Sequence, residues 1–362
     1  MALSGPLAQL VEQGTLNPKV AGSIPARPTL ARKSGRLRRP AHYRPLTARL
    51  YPRNVKILGL LVVSGLLAFG ALAAAQAPAS EARGTAECSQ TSTGLTPLTD
   101  LGKRRYKGHR GGLYPNGLNQ PGRPYLRQGL AAAKRVRPVN GRVVLLSIGM
   151  SNTTQEFQPF MRLAAADPDL NPALKLVDGA MGGWDARRVS RPAGGYWTAL
   201  DRRLRAQGVS PVEVQAVWLK VAISGEDRPF PNDAKALKAN LRAIVQILGR
   251  RFPNLRLIYT SSRTYGGYAV TALNPEPAAY DSGYAVRWLV QDRIEGRLKG
   301  PWIGWGPYLW DPTWPRSDFE SDGTHPAQPA EQKVGRMLLE FFEQQPWFVN
   351  DAPRPRRHAV GK

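Results

Sequence analysis

Cysteine is nearly absent. The single Cys88 among 362 residues excludes an internal disulfide framework and a cysteine-built zinc cluster. Histidine is almost as scarce, with four residues in all; His42, His109 and His358 lie in the flanks, and His325 alone lies in the central part. One histidine and no cysteine there leave only carboxylates as candidate ligands, so neither a metal site nor a cofactor is expected. Acidic residues are outnumbered, 26 against 51 basic, for a formal charge of +25. Gly 36 and Pro 32 together make just under a fifth of the chain, short of the roughly 25–30% of low-complexity sequences. No internal repeat is present, and fibrous and coiled-coil classes are excluded.

The basic excess invites a nucleic-acid reading, but its placement argues against one. Residues 1–56 hold eleven Lys/Arg against one acid, residues 57–142 twelve against three, and residues 351–362 four against one. Residues 143–350 hold 24 against 21. Basic flanks around a near-neutral central part read as solvated tails rather than a basic binding face, so no specific nucleic-acid partner is expected.

Residues 1–54 carry scattered Pro and Arg without apolar periodicity and read as a disordered basic segment. Within them, residues 7–29 resemble the peptide obtained by translating a transfer-RNA gene, which would put the true start near Val55. Residues 57–75, ILGLLVVSGLLAFGALAAA, contain no charge and follow Arg53 and Lys56. Residues 55–77 therefore read as a signal peptide with A-x-A cleavage sites at Ala73, Ala75 and Ala77, or as an uncleaved membrane anchor. Either way the remainder is expected outside the cytoplasm. Residues 78–140, dense in turn signals, read as a linker and an extended arm lying on the domain. Residues 351–362 read as a basic tail.

From residue 141 the pattern alternates. Apolar runs at 143–148, 174–178, 214–221, 255–262 and 302–306 read as buried strands. Helical spacing appears at about 155–165, 196–207, 233–251, 281–299 and 327–345. In the third of these, Ala236, Leu237, Leu241, Ile244, Val245 and Leu248 form an apolar stripe, with Asp233 as N-cap. The alternation predicts a three-layer α/β/α sandwich on a central parallel five-stranded sheet over 141–350, with its site at the carboxyl ends of the strands.

Two segments carry chemistry. The first apolar run leads directly into Gly149-Met150-Ser151-Asn152-Thr153, and a helix follows. A serine there sits at a strand's carboxyl end, where helix N–H groups favour developing negative charge; the same Ser-Asn-Thr run also suits a plain helix cap. The second is Asp322-Gly323-Thr324-His325. A lone histidine is commonly structural, but an aspartate three residues earlier can hold its Nδ1–H and leave Nε2 to take a proton from serine.

With these residues the chain resembles the SGNH (GDSL-type) hydrolase superfamily of serine esterases over about residues 141–345, and wording such as GGLYPNG and YDSGYAVRWL extends the likeness to a group of uncharacterised secreted bacterial members from about Pro97. The G-D-S block stands as Gly149-Met150-Ser151, and D-x-x-H is intact. The resemblance implies a flavodoxin-like fold, Ser151 as nucleophile, His325 as base and Asp322 as its partner, with an oxyanion donor in Asp178-Gly179-Ala180-Met181-Gly182-Gly183 at Gly183 or Gly182. Family members place an asparagine after the third strand; this chain has Val221-Ala222-Ile223-Ser224 there, leaving Ser224, Lys220 and Asn152 as substitute donors.

Trp305, Tyr308 and Trp310, with Trp302 and Trp314, lie in the last strand or just after it, and Tyr265 and Tyr268 follow the fourth. They are candidates to stack on sugar rings or simply to pack the core. The reading that results is a secreted serine esterase cleaving carboxylic esters, with acylated polysaccharide as a candidate substrate. The alternative is a weak or inactive carbohydrate-binding or cell-wall-associated protein on the same fold.

Overall fold

The computed structural model describes residues 93–350. The expectations for residues 1–54, the apolar stretch at 55–77, Cys88 and the tail at 351–362 lie outside the described residues. No helix among the described residues is long and apolar enough to cross a membrane.

Five strands form one sheet: β1 (Val143–Gly149), β2 (Leu174–Asp178), β3 (Val214–Lys220), β4 (Leu257–Thr260) and β5 (Trp302–Trp305). Their order is β2-β1-β3-β4-β5, and every pairing is parallel. β1 and β3 are buried at all seven positions, as strands covered on both faces must be. This is the expected flavodoxin-like α/β/α sandwich, and β1 lies where the strand order reverses, the place at which a crevice opens beyond the carboxyl ends.

Among the described residues, six helices of eleven residues or more accompany the sheet: α1 (Arg123–Ala133), α2 (Ser151–Ala165), α3 (Gly195–Ala206), α4 (Asn232–Arg251), α5 (Ala278–Ile294) and α6 (Gln328–Phe342). α2 and α6 pack on one another through Phe160 and Phe342, whose ring centroids are 5.5 Å apart, while Phe157 stacks on Trp218 of β3 at 5.8 Å. α4 buries Ala234, Leu237, Leu241, Ile244, Val245 and Leu248, nearly the expected stripe.

Several expectations are corrected. Asp233 is not the N-cap of α4, which begins at Asn232 after Pro231; it is buried against Asp281 of α5, where burial, joined by the charge of Asp233, pushes the Asp281 carboxyl up to about 8. α2 starts four residues earlier than its apolar spacing suggested, because its first turn is polar and serves the site rather than the core. α5 occupies 278–294 rather than 281–299, with Gly296 at φ +75° just beyond its end. The stretch read as an extended arm contains helix α1, and Leu98, Leu113, Tyr114 and Tyr125 belong to the core. Tyr125, Leu126, Gly129, Ala132 and Ala133 are its buried stripe, a helical period that the surrounding turn residues masked.

Candidate active site

The turn from β1 into α2 is tightly built. Gly149 passes so close to β3 that an added Cβ would fall 2.1 Å from the Lys220 carbonyl oxygen and 2.2 Å from Thr153 Oγ1, so only glycine fits. Met150 occupies the N-cap, and its carbonyl accepts the N–H groups of Thr153 and Thr154. Thr153 Oγ1 accepts the Met150 N–H at 3.3 Å and donates to the Lys220 carbonyl at 2.6 Å. Capping therefore falls to Thr153, and Ser151 is left as the first helical residue with its N–H and that of Asn152 unengaged among the described residues. Such orphan donors at a helix start are positioned for negative charge.

The Asp322–His325 turn lies opposite. Ser151 Oγ is 2.8 Å from His325 Nε2, and His325 Nδ1 is 2.5 Å from Asp322 Oδ2. Asp322 Oδ1 also accepts the backbone N–H groups of Thr324 and His325, both at 2.9 Å. Partial burial pushes this carboxyl up, but the donations from the His325 N–H, its imidazole and the Thr324 N–H outweigh it, and the group ends below the usual carboxylate range. An ionised Asp322 can only accept, so in the neutral ring the proton sits on Nδ1 and Nε2 faces the serine hydroxyl as acceptor. That arrangement can draw a proton from Ser151 while steadying the imidazolium that forms.

The glycine block forms a third wall. Ser147 Oγ donates to Asp178 Oδ1 at 2.6 Å and accepts the Gly179 N–H at 3.1 Å, and the Met181 N–H donates to the Gly149 carbonyl at 3.1 Å. A Cβ on Gly182 would lie 3.7 Å from that of Ser151, so this glycine borders the serine. Gly183 adopts φ +76° and gives its carbonyl to Arg188 Nη1 at 2.7 Å. The N–H groups of Gly182 and Gly183 are unengaged among the described residues.

The proposed substitutes for the absent asparagine fare differently. The Lys220 ammonium is fully buried and paired with Glu156, so it is not an oxyanion donor. Burial lowers it to about 8 against the opposing pull of Glu156. Asn152 spends its amide on the Thr324 carbonyl at 2.8 Å and so ties α2 to the histidine turn. Ser224 has its N–H on Asp185 at 3.3 Å and its carbonyl on Arg187. Asn152→Ala is expected to destabilise by about 1–2 kcal/mol through the orphaned carbonyl and to lower activity by less than the 10²–10³ typical of a lost oxyanion donor. Thermal unfolding and esterase kinetics on the same variant separate the two roles.

The aromatic wall is corrected as well. Trp305, Tyr308, Trp310 and Tyr265 are each at most 5% exposed. Trp305 donates to the Leu113 carbonyl at 2.7 Å and Trp310 to Glu276 at 2.6 Å, while Tyr308 Oη accepts the Leu98 N–H at 3.0 Å. Tyr265 packs edge-on against Tyr268 and Trp310. Trp305 and Tyr308 bind the segment before β1 to the core, and Trp310 and Tyr265 pack among Glu276, Tyr268 and one another, so these side chains are spent on the interior. Two half-exposed rings remain by the site: Tyr268, whose neighbour Val270 donates to the Asp322 carbonyl at 3.0 Å, and Trp184, which directly follows Gly183. Trp184 stands alone in sequence, and its adjacency to the glycine block is the one signal there that marks it. Arg263 carries no such signal in sequence: it is 3% exposed, its Nε and Nη1 have no partner among the described residues, and burial lowers it against the pull of Glu156 and Asp322. Among the described residues no group of three or more His, Cys, Asp or Glu side chains is placed to hold a metal ion.

No family model and no curated protein matches the chain. Solved structures do. A Bacillus subtilis protein is 12% identical at TM-score 0.36, covering 58% of this chain and 58% of its own, so this chain spans less than two thirds of that relative. The family 3 carbohydrate esterase of Clostridium thermocellum is 13% identical at TM-score 0.36, covering 56% of this chain and 96% of its own. A candidate SGNH hydrolase from Slackia heliotrinireducens is 12% identical at TM-score 0.32, with coverages of 56% and 99%. By its own strand order β2-β1-β3-β4-β5, parallel throughout and covered by helices, the chain has a flavodoxin-like α/β/α fold.

Proposed function

We propose that the chain is an exported hydrolase of carboxylic esters acting through Ser151, His325 and Asp322. The observation that carries this reading is the continuous relay from Asp322 Oδ2 through both ring nitrogens of His325 to Ser151 Oγ. His325 Nε2 takes the hydroxyl proton as Oγ attacks the acyl carbonyl. The oxyanion meets the N–H groups of Ser151 and of Gly183 or Gly182. Protonation of the departing alkoxide by the imidazolium leaves an acyl-enzyme, and water deprotonated by His325 then releases the acid. Export rests on the uncharged stretch at residues 57–75. With the aromatic wall buried, support for a polysaccharide substrate must come from elsewhere in the molecule.

The test is labelling of the full chain with a fluorophosphonate probe, followed by peptide mapping. Modification confined to Ser151 and lost in His325→Ala supports the reading. A folded protein that takes no label returns it to the inactive, carbohydrate-binding alternative.

A further inference from the structure

A groove of about 800 Å³ opens at the edge of the sheet away from the relay. Arg256 immediately precedes β4, and Pro301 and Trp302 open β5, so the groove lies at the amino ends of these strands; the serine, glycine and D-x-x-H blocks gather at the carboxyl ends. Four-residue strands separate the two edges by about 13 Å of backbone at the usual rise.

Its charge is lopsided. Arg135, Arg242, Arg250, Arg256, Arg293, Arg297 and Lys299 all line it, and no Asp or Glu does. Part of this basicity answers local needs. Three helix C-termini converge here, those of α1, α4 and α5, and each contributes roughly half a negative charge. Asp292 pairs with Arg242 and Arg297, and Glu295 pairs with Arg297. Setting these against seven cations still leaves a surplus of about three and a half positive charges. Arg135, Arg250, Arg256, Arg293 and Lys299 have no carboxylate partner among the described residues, and Arg256 Nε is buried with no hydrogen-bond partner. The near-neutral total over residues 143–350 concealed this cluster, because a sum over sequence carries no information about where charges meet.

We infer that this groove is a second binding site, for a carboxylate-bearing polysaccharide, that holds the enzyme on a polymer whose ester groups reach the relay at the opposite edge. The inference rests on the ester-hydrolase reading above. Guanidinium forks match carboxylates in a bidentate manner, and several along one groove suit a repeating anion. A single-stranded nucleic acid would need aromatic platforms for its bases, whereas the groove's two rings, Phe252 and Trp302, are buried.

The test compares the full chain with a triple variant, Arg135→Glu, Arg250→Glu and Lys299→Glu, all at exposed positions. Binding is read by affinity electrophoresis in gels carrying polygalacturonate, neutral dextran or a thymidine oligonucleotide. The expected result is retardation by polygalacturonate alone, relieved by salt and weakened about tenfold or more in the variant, as lost charge-assisted contacts require. Turnover of 4-nitrophenyl acetate reports separately on the relay and should be unchanged in the variant. Protection of Arg135 and Arg250 from phenylglyoxal by polygalacturonate in the wild type gives the same answer without a variant. Retardation that is equal in wild type and variant would assign the binding to the basic flanks and overturn the inference, as would tighter binding of the oligonucleotide or absence of protection.

Discussion

Ser151→Ala is expected to lower kcat/KM on a small ester by about 10⁴–10⁶, the range over which a nucleophile in a serine relay acts, while stability changes by no more than about 0.5 kcal/mol. Both halves follow from where the residue sits. Its hydroxyl touches His325 Nε2 at 2.8 Å, and alanine leaves nothing to attack the acyl carbon. Structurally the hydroxyl does little: the N-cap is Met150, the reciprocal cap belongs to Thr153, and the tie to the histidine turn is made by Asn152. Removing His325 should cost about as much, and the double variant no more than either single one, because members of a relay fail as a unit. Esterase kinetics set beside thermal unfolding check this. A variant that keeps wild-type turnover would sink the mechanism, and one that loses activity together with its fold would show that the turn depends on the hydroxyl.

How much of this was legible in sequence differs by kind of information. Strands such as Val143–Gly149 and helix Asn232–Arg251 declare themselves, because a doubly covered sheet demands apolar runs and its cover demands a 3.6-residue stripe. The serine turn and the Asp322–His325 turn were also readable, since each needs particular residue types at fixed spacing. Proximity in space was not. Trp305, Tyr308 and Trp310 look alike whether they face a ligand or the core, and only the polar partners of their N–H and O–H groups decide it. Lys220 could be considered as a donor only while its partner Glu156, sixty-four positions away, was unknown. Arg135 and Arg250 looked like unrelated surface charges until three helix ends brought them to one groove.

Glu156→Gln is expected to destabilise the protein by about 3–5 kcal/mol, the usual effect of stranding one partner of a buried ion pair. Glu156 and Lys220 are both fully buried, one on α2 five residues after Ser151 and the other closing β3 opposite Gly149. In wild type the carboxylate partly offsets the burial that brings Lys220 down to about 8. Without it the ammonium falls further and is neutral in the folded chain over a wider pH range, while the unfolded chain still binds that proton. Where the unfolded state holds more protons, stability rises with pH, so the variant's deficit should narrow as pH climbs from about 7 towards 8, by up to about 1.4 kcal/mol per unit. The wild type gains this slope only above about 8. Replacing both partners, Glu156→Leu with Lys220→Met, should recover part of the loss and not all of it, because Arg263 also draws on the Glu156 charge and would be left facing Asp322 alone. Denaturant unfolding of Glu156→Leu, Lys220→Met and their double, closed as a cycle across pH and set beside Glu156→Gln, measures each of these terms. A Glu156→Gln protein within about 0.5 kcal/mol of wild type would mean that water reaches the pair, and that the site's rigidity comes instead from the Thr153–Lys220 and Asn152–Thr324 hydrogen bonds.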